Sequence, residues 1–163
     1  MSLSRETFID YDAVMQAPIH RVFAEPDTQK RRAAIREIYA ENVQVYEPGV
    51  EASGYEGIEQ VVNEVLSQAP PGFVFGTFGP GVGHHGIGRL RWHFGPQEGP
   101  PAITGLDVVE ILDGKITKLY VFIDPHAGLR PASIERLSGV FCHCADGWKK
   151  GVQLTRRGSI WPW

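Results

Sequence analysis

The sequence predicts an α+β fold, with about three N-terminal helices packed on one face of a curved antiparallel sheet. Two observations lead there. Apolar residues recur at helical spacing as far as residue 66, and from residue 73 they recur at every second position. Glycines and prolines gather at residues 70–72, 79–81 and 95–101, which supplies the turns a meander of strands needs.

The elements follow in order. Phe8, Tyr11, Met15 and Val22 share one helical face, and Pro18 inside that run predicts a kink or two short helices. Asp27 is placed to cap a second helix with the buried stripe Ala34, Ile35, Ile38 and Tyr39. A short strand at 43–46 precedes Glu47-Pro48-Gly49. A third helix follows Gly57, with Ile58, Val61, Val62, Val65 and Leu66 on one face, and Pro70-Pro71 ends it. Phe73, Phe75 and Phe78 mark a short strand. Residues 84–94 alternate Leu90, Trp92 and Phe94 against Arg89, Arg91 and His93. Two more strands, 102–112 and 115–123, are joined by the tight turn Asp113-Gly114.

Composition bounds the function. The 163 residues are 42% hydrophobic and 21% charged, as in one soluble globular domain. Apolar runs are too short to span a membrane. The N-terminus is polar and lacks the apolar stretch of a secretory signal, so a cytoplasmic location is expected. A net charge of −3 gives no footprint for nucleic acid. Cys142-His143-Cys144 has one residue between its cysteines and no second pair, so no structural zinc is expected. No phosphate loop or redox motif points to a cofactor.

Asp107 is the most informative residue. It sits among Leu106, Val108 and Val109, where a carboxyl must be paired, hydrated or protonated. Desolvation raises its pKa, which lets it donate a proton or hydrogen bond near neutral pH. It is expected to face a cavity, with Leu119 or Tyr120 beside it according to whether a bulge shifts the register. Trp92, Tyr46 and Leu119 are expected to line that cavity. If Leu90, Trp92 and Phe94 face inward, His84 shares their side and is a candidate base. Arg89, Arg91 and His93 then share the other face with Lys118, Tyr120 and Phe122, a composition that predicts a homodimer.

Three groups of residues carry a resemblance. They are Ile38 to Val43 followed by Tyr46-Glu47-Pro48; Gly54 to Ile58 opening a helix that ends at Pro71-Gly72; and Gly105 to Val109, Asp113 to Ile116 and Phe122 to Asp124. In order and spacing they resemble the nuclear-transport-factor-2-like superfamily, which includes SnoaL-like polyketide cyclases and ketosteroid isomerases. The resemblance covers about residues 5–124, which implies one domain at 1–124 and leaves 125–163 as an extension. It implies a cone-shaped sheet around a mostly apolar cavity for a small apolar molecule. It also implies a cofactor-independent isomerase or cyclase acting on a carbonyl compound, polyketide- or steroid-like, by carboxylate acid–base catalysis.

In that pattern Glu47 stands where the isomerases carry their proton-abstracting carboxylate. Asp107 stands where they carry the acid of the oxyanion hole, an aspartic acid that their apolar site keeps neutral. Phe23 stands at the place of their first-helix tyrosine and has no hydroxyl. Gly105 stands where the epoxide-hydrolysing branch needs an arginine. The alternatives are a non-catalytic small-molecule binding domain and a dimeric protein-interaction module.

Overall fold

The computed structural model describes residues 8–124. The extension at 125–163, with Cys142-His143-Cys144, lies outside the described residues. Asp10 caps α1 (Tyr11–Pro18), accepting a hydrogen bond from Ala13 N–H at 3.0 Å. Pro18 has no N–H to donate to the preceding turn. The expected disturbance falls there, and the run divides into two short helical segments. The second segment is one wider π-turn, Ile19–Phe23, closed by a bond from Ala24 N–H to the Ile19 carbonyl at 2.9 Å. The wider turn carries Ile19 and Val22 into the core. Phe8, expected on the buried face, precedes the helix and is 92% exposed.

Asp27 caps α2 (Thr28–Ile38) as expected, accepting from the N–H groups of Gln29 and Lys30 at 2.8 and 2.9 Å. Ala34, Ile35 and Ile38 are buried. Tyr39 is buried too, but its backbone is extended and it opens β1 (Tyr39–Glu47) without any loop. Pro48 and Gly49, the latter at φ 81°, turn the chain into β2 (Val50–Ser53). α3 (Gly54–Gln68) follows directly and buries Ile58 and Val62.

The remaining strands are β3 (Phe73–Thr77), β4 (Val82–His84), β5 (Ile87–Pro96), β6 (Ile103–Leu112) and β7 (Lys115–Ile123). The expected strand at 84–94 is two strands. His85 at φ 50° and Gly86 at φ 77° form a two-residue hairpin turn between β4 and β5. Asp113 and Gly114 do the same between β6 and β7, at φ 51° and 77°. The sheet runs β2-β1-β7-β6-β5-β3, with β4 also on β5. Every pairing is antiparallel except β1 with β7. Among the described residues no helix is long and apolar enough to cross a membrane.

Two irregularities set the sheet's shape. On β7 the pairing skips Thr117: Ile116 faces Ile111, and Lys118 faces Glu110. The Thr117 hydroxyl donates to the Glu110 carbonyl at 3.2 Å, which fastens the bulge. On β1, Tyr39 and Tyr46 lie opposite Ile116 and Tyr120, so seven steps of β1 run beside four of β7. The surplus residues bend β1 and shorten the distance from its start to its end.

Arg31 is buried among the helices, 6% exposed. Nη1 donates to the carbonyls of Glu25 and Pro26, both at 3.0 Å, and Nη2 to Thr28 Oγ1 at 3.2 Å and Asn63 Oδ1 at 2.9 Å. It ties the connection before α2 to α3. Its neighbour Arg32 reaches Glu59 at 2.7 Å on a largely wet surface. Arg31→Ala should therefore cost about 3 kcal/mol, because it strands buried acceptors. Arg32→Ala should cost less than about 1 kcal/mol. Urea unfolding of the two variants checks this, and equal costs would refute the assigned role of Arg31.

Candidate functional site

Val43 and Val45 point from β1 into the core, so Glu47, two residues on, shares their face. Val45 pairs with Leu119, and Leu119 with Val109, making one row across β1, β7 and β6. One step on from Tyr46 and Tyr120, Glu47 comes level with Val121, and Val121 pairs with Asp107. Glu47 and Asp107 thus belong to one row on the inner face, with Cα atoms about 10 Å apart across two strand spacings.

Both carboxyls are perturbed. Burial pushes Glu47 up to about 7, helped by the charge of Asp107 and then of Glu64 on α3. Burial likewise pushes Asp107 up to about 7, against a hydrogen bond from Trp92 that pulls it down. Trp92 Nε1–H donates to Asp107 Oδ1 at 2.7 Å. Glu47 Oε2 is buried with no hydrogen-bond partner among the described residues.

Gly105 makes the Trp92 contact possible. It pairs with Trp92 across β5 and β6, and the indole lies over it on the way to Asp107. A Cβ at position 105 would collide with Trp92 Cζ2. Phe75 and Phe94 back the indole, with Phe75 6.1 Å from it and 4.4 Å from Phe94, centroid to centroid.

Tyr39 is the residue that sequence reasoning misses. It is fully buried, and its hydroxyl has no hydrogen-bond partner among the described residues. Its pKa is pushed well up by burial, then by Asp107 and Glu47, so the hydroxyl lies within electrostatic reach of both acids. In the sequence it passes for the last apolar residue of a helical stripe. The signal available is a hydroxyl-bearing ring at a helix end with a strand beginning on it.

The other expected residues divide. Leu119 faces inward and is buried, one row from the acids. Asp107 is flanked by Val121 and not by Leu119 or Tyr120, because the bulge at Thr117 advances the register by one. Phe23 packs against Phe75 at 5.1 Å and borders a recess of about 520 Å³ that also includes Leu66, Phe73 and Phe94. Trp92 is inward, but its N–H is spent on Asp107.

Two residues fall outside. Tyr46 points to the outer face, stacked on Tyr120 at 5.1 Å, because adjacent residues of one strand cannot both face in. His84 is exposed at the end of β4, with Nδ1 3.1 Å from His85 Nδ1. The hairpin at His85-Gly86 breaks the alternation that would put His84 beside Trp92. Among the described residues no group of three or more His, Cys, Asp or Glu side chains could hold a metal ion.

No family model matches the sequence, and no curated protein matches it. Solved structures do. A protein from Agrobacterium tumefaciens assigned as an isomerase of the SnoaL-like family superposes with a TM-score of 0.64 at 25% identity, over 71% of this chain and 97% of that one. A protein from Sinorhizobium meliloti assigned as a polyketide cyclase gives 0.53 at 17%, over 67% and 93%. One from Kribbella flavida assigned as a ketosteroid isomerase gives 0.56 at 12%, over 75% and 83%. The last two likenesses concern the fold alone. By its bent sheet on three helices and by these likenesses, the chain has the fold of the nuclear-transport-factor-2-like and SnoaL-like proteins.

Proposed function

We propose that this protein is a cofactor-independent isomerase or cyclase that moves a proton next to the carbonyl of a small apolar compound, polyketide- or steroid-like. The observation that carries the reading is the row formed by Glu47 and Asp107. Two carboxyls from different strands share one apolar interior, each pushed up to about 7. Two charges in one apolar interior cannot both form cheaply, so near neutrality the pair holds one proton between them. The ionised member takes a proton from carbon, and the protonated member serves the carbonyl oxygen. The Tyr39 hydroxyl, within reach of both, is a second donor for that oxygen and offsets the loss of a hydroxyl at Phe23.

The test is deuterium uptake from heavy water at the carbon next to the carbonyl, in a panel of apolar ketones. Wild type should catalyse it. The double variant Glu47→Gln, Asp107→Asn should lose roughly 10²- to 10⁴-fold while still binding. Ketones that bind to wild type without exchange would favour the non-catalytic binding domain instead.

The same pair sets a pH dependence of stability. Both acids have folded values near 7, above their ordinary 4.5 and 3.8. The folded state therefore holds more protons than the unfolded chain from about pH 4 to pH 7. Stability from these groups is full below that window, falls as pH rises through it, and is flat above it. The double variant should therefore be more stable than wild type at pH 8, by several kcal/mol. Its advantage should shrink toward pH 4. Thermal unfolding across pH 4–8 measures the difference, and an advantage that grows toward acid would contradict the assignment.

A further inference from the structure

We propose that Trp92 sets the division of labour between the two acids: its indole N–H holds the negative charge on Asp107, which makes Asp107 the base and Glu47 the acid. This rests on the acid–base reading above, and it reverses the assignment implied by the resemblance.

The geometry is asymmetric. Asp107 receives a donor at 2.7 Å, and an indole N–H can only donate. Such a bond is stronger to a carboxylate than to a neutral acid, so it favours ionisation. Glu47 has no donor on its buried Oε2 among the described residues, and a charge there would stand unsupported. The titratable groups acting on the pair reinforce the order. Glu64, from α3, adds negative potential at Glu47. Tyr39, from β1, stays neutral across the working range because its own ionisation is pushed well up. The charge of Asp107 is itself among the causes that raise Glu47.

Gly105 is the second half of the device. Only a residue without a Cβ leaves room for the indole to cross to Asp107. Trp92 is thus a positioning residue that acts through Asp107.

The isomerisation then balances. The Asp107 carboxylate takes a proton from the carbon beside the carbonyl, and the Glu47 acid gives its proton to the carbonyl oxygen, leaving an enol. Asp107 returns its proton to a different carbon of the conjugated system. Glu47 recovers the O–H proton as the carbonyl reforms, and both groups end as they began.

The experiment is a ¹³C carboxyl NMR titration of the intact protein, following Asp107 Cγ and Glu47 Cδ. In wild type Asp107 should ionise at lower pH than Glu47, and the Trp92 indole N–H resonance should move with the Asp107 step. Trp92→Phe keeps an aromatic ring and removes the donor. It should raise the Asp107 midpoint by about one pH unit, a tenfold loss of acidity, and lower that of Glu47. If that variant does not fold, the wild-type order and the indole resonance decide the matter alone. Glu47 ionising first in wild type, a flat indole resonance, or an unmoved Asp107 midpoint in a folded Trp92→Phe would overturn the proposal. In the deuterium-uptake assay Asp107→Asn should lose more rate than Glu47→Gln, since the glutamine amide still donates. Absence of turnover in wild type would defeat the functional reading and leave the titration order standing.

Discussion

Where β7 carries Thr117 without a partner on β6, Ile116 and Leu119 both point at the helices although they are three positions apart. Alternation on a flat ladder would have sent one of them to solvent. The extra residue keeps both halves of β7 apolar on the inside, and it moves Val121 opposite Asp107. A regular hairpin would have set Tyr120 there. The stacked pair of Tyr46 and Tyr120, the Lys118–Glu110 ion pair and the exposed Phe122 all owe their outer placement to the same shift.

Much of this fold is legible in the sequence because it is local. The Asp27 cap, the α3 stripe and the Asp113-Gly114 turn are each decided within a few residues by hydrogen bonding or backbone sterics. Pro18 announces a disturbance, yet the sequence alone does not say whether a proline breaks a helix or widens it. The His85-Gly86 turn escapes because Asn-Gly and Asp-Gly are the usual signals of a two-residue hairpin, and losing that turn misplaces His84. Register is illegible for a different reason: bulges leave no local composition signal.

At the site, Asp107 can be found because an acid in an apolar strand is an anomaly at any register. Glu47 and Tyr46 cannot both line the interior, since neighbours on a strand face opposite ways, and Val43 and Val45 side with Glu47. Tyr39 is hidden by its apolar ring, which satisfies a helical stripe as well as it satisfies a core. Its importance depends on the bend of β1, which draws the strand's first residue toward its last. The asymmetry between the two acids also lies beyond sequence, because it rests on one indole crossing one glycine.

That crossing constrains how the chain can change over generations. Positions 92 and 105 occupy one volume, so their substitutions are not independent. Any side chain arriving at 105 while the indole is present meets it at well under van der Waals distance. A smaller residue at 92 leaves Asp107 without its donor, and it does not open position 105, where a Cβ would still meet the Phe122 backbone carbonyl. Glycine at 105 is therefore held by two neighbours at once, one of them main chain.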